Sequence, residues 1–228
     1  MNLILDDGQK IFENKSVALI GPSSTLEKSG LGKHIDDQYD VVCRINHHIP
    51  INNSVFIDYG KKTDVIFTSS NIIYNKYNEI KNFLPNIIIF PRKQEFNSKA
   101  IKVISDDFPD KNCFIIDEKF NEEINKEIGT ITTTGMLSIC YLLKMNLSKI
   151  FIAGFDFYQN RQKYYIKNES NIPMNGKYEE QINKYGFIKY ESEHNMEKHI
   201  KYFNKLINDS KLNIKLDSFL EKTISKFN

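Results

Sequence analysis

Thr132, Thr133 and Thr134 stand in a row ahead of Gly135 and the apolar run MLSICYLLKM. A helix beginning there gathers hydroxyl donors, unpaired backbone N–H groups and the positive end of a helix dipole at one point. An anion belongs at such a point: one N-cap threonine suffices for capping, and three exceed that need. A second candidate is ALIGPSS (Ala18 to Ser24), a strand-like run entering Gly21, Pro22 and Ser23. Glycine lets the backbone approach a ligand there, and hydroxyl and amide groups can meet phosphate or ribose. Taken alone, Gly-Pro-Ser reads equally well as a turn with a helix cap. It lies in no GxxxxGK[ST] loop, and GLGKHI lacks the third glycine of a dinucleotide fingerprint. His194 opens a helix-like segment, with Glu197 and His199 following. An imidazole so placed is either a general base near neutral pH or a packing residue. His47 and His48 are adjacent, cannot easily face one ion, and are read as loop residues. No Asp-x-Asp occurs, although carboxylates of that spacing often hold the divalent ion of nucleoside-diphosphate-sugar transferases. No metal and no cofactor is expected.

The elements that must position these residues alternate. Short β-rich apolar runs at 16–20, 40–45, 64–68, 86–90, 112–116 and 149–154 predict strands, and segments at 26–37, 72–83, 117–128 and 134–145 predict helices. This is the pattern of parallel strands with crossover helices, hence an α/β fold with a Rossmann-like, open, mostly parallel sheet. Ligands of such sheets sit beyond the carboxyl ends of strands, which directs attention to the loops after VALI, CRI, IFT and FIAG. From Asp156 to Glu193 the periodicity gives way to a long polar, tyrosine-rich stretch, and loops of that length are usually functional or disordered. A helix at 194–207, a short strand NIKL and a terminal helix follow.

Bulk properties narrow the partners. With 228 residues and 40% hydrophobic content, one domain spanning 1–228 is expected, with 156–193 as its long loop. A net charge of +2 argues against a nucleic-acid partner. Three scattered cysteines suit neither a disulfide framework nor a zinc site, and point to a reducing, cytoplasmic compartment. The start, MNLILDDGQKIFENK, has acids where a signal peptide needs a basic segment. The C-terminal LINDSKLNIKLDSFLEKTISKFN alternates lysines with apolar residues: packing on the sheet is one reading, and peripheral docking on an anionic membrane near a lipid-linked acceptor is the other.

Taken together, these segments resemble the sialyltransferases. IGPSSTLEKSGLGKHIDDQYDVVCRINHHIP, continuing to DYGKKTDVIFTSS, is similar to the large sialylmotif of the animal enzymes of glycosyltransferase family 29. TTTGMLSICYLLKMNLSKIFIAGFDF is similar to the small sialylmotif, and GFDFYQN nearly repeats a run of the bacterial family 42 enzymes. The resemblance covers about 16–68 and 132–206. It implies a metal-independent variant of the GT-A fold, with a CMP-activated sialic acid or related nonulosonate as donor and a glycan as acceptor. By it, Gly21, Pro22, Ser23 and Asn46 contact the donor nucleotide, and Thr133, Thr134 and Gly135 hold the cytidylate and the sugar carboxylate. Asp156 and Phe157 belong to the donor site; Tyr158 and Tyr164 steady the leaving phosphate; His194 is the catalytic base; and the 156–193 loop is a lid.

The chain also departs from the pattern. Ile20 stands where the bacterial enzymes carry asparagine, Ser69 aligns with a second nucleotide asparagine, and Ile131 takes the place of an arginine. His199 occupies the position of an acid, and Glu197 is the nearest carboxylate. The implied reaction is inverting transfer. Other CMP-nonulosonates such as CMP-Kdo, a CMP-sugar-binding protein without transferase activity, and a generic nucleotide-binding module are the alternatives.

Overall fold

The computed structural model describes residues 8–92, 97–159, 181–182, 188–189 and 194–227. Its centre is a seven-stranded, all-parallel sheet of order β5-β4-β3-β2-β1-β6-β9. The strands are β1 (Ser16–Ile20), β2 (Val41–Ile45), β3 (Val65–Phe67), β4 (Ile87–Phe90), β5 (Asn112–Ile115), β6 (Lys149–Ala153) and β9 (Ile214–Leu216). A separate antiparallel pair joins β7 (Gln181–Ile182) to β8 (Ile188–Lys189).

Every residue of β1 and β2 is buried, as the continuous apolar runs require of strands covered on both faces. Alternation divides them between two layers. Val17, Leu19, Cys43, Ile45, Val65, Phe67, Ile150 and Ile152 face one core. That core is closed by α1 (Gly8–Phe12), α6 (Glu118–Ile128), α7 (Thr134–Leu143), α8 (Met196–Asp209) and α9 (Ser218–Ile224). On the other face, Ala18, Ile20, Val42 and Phe151 pack under α2 (Gly32–Gln38) and α3 (Asn53–Tyr59). Ile66, Ile88 and Phe90 pack beneath α4 (Ser70–Ile80) and α5 (Asn97–Asp107).

The expected strands form with their ends shifted by a residue or so, and the expected α/β architecture is present. Three helices go beyond the sequence reading: α1, α3 and α5. The helix expected at 26–37 is also shorter, because Lys28 (φ 65°) and Gly30 (φ 66°) adopt left-handed backbone. The Asp58 carboxylate accepts the N–H groups of both, at 2.8 Å each, and holds that turn. The C-terminal stripe belongs to the core: Leu220 is buried, and Ile214, Leu216, Ile224 and Phe227 pack beside it. Among the described residues no helix is long and apolar enough to cross a membrane. The three cysteines are free and buried. The expected lid, apart from 156–159 and the two short strands, lies outside the described residues, and so does Tyr164.

Candidate functional site

Strand order reverses between β1 and β6, whose sequence neighbours run away on opposite sides. The carboxyl ends of these two strands are therefore the expected ligand crevice. A cavity of about 270 Å³ opens there.

The β1 and β6 ends are stitched together by backbone. Gly21 N–H donates to the Ala153 carbonyl at 2.8 Å, and Ser23 N–H to the Gly154 carbonyl at 2.9 Å. The two glycine backbones pass so closely that a Cβ on Gly21 would lie 2.3 Å from the Gly154 oxygen. Gly21 forms this crossing point, and the next two residues, Pro22 and Ser23, line the cavity. Gly154 is fixed further by Asp217, whose Oδ2 accepts its N–H at 2.6 Å and whose Oδ1 accepts Leu220 N–H at 2.8 Å. Burial raises the Asp217 pKa above the ordinary carboxylate value, against the pull of these N–H donors.

Asn46 follows β2 and Ser69 follows β3, and both line the cavity. Asn46 has φ 56°, and its buried Oδ1 accepts no hydrogen bond from the described residues. A buried acceptor with no donor costs free energy until a ligand supplies one. Ser69 caps α4 by accepting Ile72 N–H. Phe157 (φ 49°) and Tyr158 (φ 57°) line the cavity after β6, so three of the five described non-glycine residues with positive φ sit here. Backbone of this kind persists only where surrounding contacts enforce it, and it concentrates at functional sites. Asp156 Oδ1 accepts Tyr158 N–H at 3.0 Å, and Phe157 packs on Phe203 of α8 with ring centroids 5.5 Å apart.

The threonine run divides its labour. Thr132 is fully buried and turned away: its N–H donates to Asn125 Oδ1 at 2.8 Å, and its hydroxyl bonds the same atom. This corrects the expectation that all three hydroxyls serve one anion. Thr133 caps α7 by accepting Met136 N–H at 3.2 Å. Thr134 and Gly135 line the cavity with it, and their first-turn N–H groups have no intrahelical acceptor. Gly135 is pressed by the Phe155 ring, which a Cβ would meet at 2.9 Å.

His194 lines the cavity from the entrance to α8. Its Nδ1 lies 2.7 Å from the Ile131 carbonyl oxygen. A carbonyl only accepts, so Nδ1 carries a proton, and in the neutral ring Nε2 holds the lone pair. The same turn grips α8 twice more: Asn195 N–H donates to Thr130 Oγ1 at 3.2 Å, and Lys198 Nζ to the Gly129 carbonyl at 2.7 Å. Glu197 forms an ion pair with Lys201 at 2.7 Å. His199 is fully buried, its ring 6.3 Å from that of His194, and its Nδ1 lies 2.6 Å from the Asn195 carbonyl. Burial pulls its pKa down to about 4, helped by the nearby charges of His194 and Arg92. His199 is thus a neutral imidazole where the resemblance implies a carboxylate.

Among the lining residues that the sequence reading did not single out, the charged one is Arg92, just past β4. The carboxyl-end rule applies to Ile87–Phe90 as well as to its neighbours, and extending it there reaches Pro91 and Arg92. Among the described residues no cluster of three or more His, Cys, Asp or Glu could hold a metal ion.

Against solved structures the chain aligns with two groups. The sialyltransferase CstII from Campylobacter jejuni, in complex with cytidine-5'-monophosphate, matches at TM-score 0.57 and 18% identity over 93% of this chain and 84% of that one. A mammalian sialyltransferase in complex with Gal-beta-1-3GalNAc-ortho-nitrophenol matches at TM-score 0.51 and 16% identity over 91% and 71%. The fold is that of the sialyltransferases. CstII in complex with CMP-3FNeuAc, a substrate analogue, aligns at TM-score 0.51 and 17% identity over 92% of this chain and 84% of that one. No protein-family model matches the chain, and no curated protein matches it in sequence. At these identities the likeness establishes the sialyltransferase fold, and the chemistry rests on the cavity itself.

Proposed function

We propose that this chain is an inverting, metal-independent glycosyltransferase that moves a sialic acid or related nonulosonate from a CMP-activated donor to a glycan hydroxyl. The carrying observation is that His194, its tautomer set by the Ile131 carbonyl, shares one cavity with the α7 N-terminus at the switch point of a sialyltransferase fold. His194 Nε2 takes the proton of the acceptor hydroxyl as its oxygen bonds to the anomeric carbon. The bond from that carbon to the phosphate oxygen breaks on the opposite face, and its electron pair leaves with CMP. The N–H groups of Thr134 and Gly135 and the Thr134 hydroxyl, with Tyr158 as a neutral phenol donor, receive the charge gathering on the phosphate. In a site sheltered from water such donors are worth several kcal/mol to the transition state. Pro22, Ser23, Asn46 and Ser69 bind the nucleoside and ribose, the free Asn46 Oδ1 being matched by an amino or hydroxyl donor. Asp156 and Phe157 shape the strained turn that presents Tyr158. Tyr164 is assigned by the resemblance to the leaving phosphate as well, and the 156–193 loop is read as a lid over the donor on the acceptor side.

His194→Ala is the test. Loss of the general base lowers transfer by about 10²- to 10⁴-fold, read as CMP release with acceptor, while CMP binding by calorimetry stays within about twofold of wild type, well under 1 kcal/mol. Retained transfer, or equal loss of CMP binding, overturns the assignment of His194.

A further inference from the structure

Among the described residues that line the cavity, two carry an ordinarily permanent charge: Asp156 and Arg92. Asp156 is engaged in the turn that presents Tyr158, so the positive charge of the site comes from Arg92. The donor proposed above carries two anions, a phosphodiester and a carboxylate on the anomeric carbon. Neutral N–H and hydroxyl donors at the α7 N-terminus suit the phosphate. The resemblance gives them the sugar carboxylate as well, which would leave two anions and no cation at one helix end in a partly desolvated site, where unmatched charge is expensive.

Arg92 lines the cavity from the carboxyl end of β4. It follows β4, and the sheet order separates β4 from β1 by β3 and β2, so Arg92 stands across from the Pro22–Ser23 turn. Its field reaches His199, whose ring contacts that of His194. The cation and the base line one cavity, and a base that deprotonates the attacking hydroxyl works beside the anomeric carbon. The turn bearing Arg92 is held in place: its carbonyl accepts Asn97 Nδ2 at 2.9 Å, and Asn97 is buried at the start of α5. Ile131, at the position of the family's arginine, is an exposed hydrocarbon.

We propose that Arg92 is the specificity-determining cation of this site and pairs with the carboxylate on the anomeric carbon of the donor sugar. This assignment rests on the CMP-sugar reading above. A guanidinium presents two parallel N–H donors to a carboxylate, so the pairing selects acidic nonulosonates over neutral sugars carried on the same nucleotide.

The experiment compares two ligands on three proteins. Wild type, Arg92→Met and Arg92→Lys are titrated calorimetrically with CMP and with CMP-3FNeuAc, which carries the carboxylate. Arg92→Met weakens CMP-3FNeuAc roughly 10- to 100-fold and leaves CMP within about twofold; Arg92→Lys, a point charge, falls between. Unchanged CMP affinity doubles as the check that the variants fold. Equal weakening of both ligands, in the Lys variant as in the Met variant, places the arginine on the phosphate and overturns the proposal. Unchanged affinity for both ligands, or a change confined to the KM of the acceptor, overturns it too. Wild type that binds neither ligand sinks the CMP-sugar reading itself, a result separable from failure of the arginine alone.

Discussion

An imidazole that must accept a proton needs its other ring nitrogen held, and at His194 a backbone carbonyl does the holding. This frees position 199 from carrying an acid, and Glu197, paired with Lys201 on the helix surface, is occupied elsewhere. His199 makes a titration prediction of its own. Its pKa falls from 6.5 to about 4 on folding, through burial first and then the charges of His194 and Arg92, while the Asn195 carbonyl pulls the other way. Between those values the unfolded chain binds a proton that the folded chain refuses. The contribution of His199 is thus fully present above about pH 6.5 and is lost as pH falls toward 4, on the order of 3 kcal/mol in total. Urea unfolding at pH 7 and pH 4 checks this: His199→Gln should flatten the pH dependence by that amount, and an unchanged slope refutes it. Single residues were legible where backbone and side chain serve the same end, as at Thr133, Thr134 and Ser23. Thr132 was not, because its partner Asn125 comes from a different helix, and Arg92 was not, because a lone arginine after a strand carries no local signal.

At the scale of elements, the site depends on how β1 and β6 end. Their paired glycines, Gly21 and Gly154, leave no room for a side chain, and Asp217 ties Gly154 to the first turn of α9. Asp217→Ala removes the α9 cap, worth about 1 kcal/mol, and strands the buried Gly154 N–H, worth about 1–3 kcal/mol. A total loss of about 2–4 kcal/mol in urea unfolding is expected. Weaker CMP binding should accompany it, since Ser23 hangs on the Gly154 carbonyl. A loss below about 2 kcal/mol, the low end of that range, would mean that other contacts hold the β6 end. The parallel strands were legible because burial on both faces makes their sequences continuously apolar. Helix α5 was missed because the AIKVIS run within it is rich in β-branched residues, which favour strands; the need for a crossover between parallel β4 and β5 decides it. Helix α2 starts late for a reason no local pattern contains, a carboxylate at Asp58 reaching back to the Lys28–Gly30 turn.

For the whole molecule, the decisive fact is that the cavity draws on segments from Pro22 to Met196 brought together by one sheet. The unfolded chain holds no fragment of this site large enough to bind nucleotide, so CMP binding must add to folding stability. At free CMP of 100 times Kd the gain is about 2.7 kcal/mol, which for a chain of this size raises Tm by roughly 5–11 °C. A site of amides, hydroxyls and one arginine predicts the same shift in EDTA. The proposed cytidine reading also predicts a smaller shift with AMP, since in that reading the unsatisfied Asn46 Oδ1 is matched by a donor of the cytidine. Thermal melts with CMP, with CMP plus EDTA, and with AMP separate the possibilities. A shift abolished by EDTA would mean that a cation mediates phosphate binding, and equal shifts for both nucleotides would mean that the cavity reads phosphate and ribose alone. No shift with CMP at millimolar concentration would remove the nucleotide from the cavity altogether, and with it the transfer chemistry built around His194.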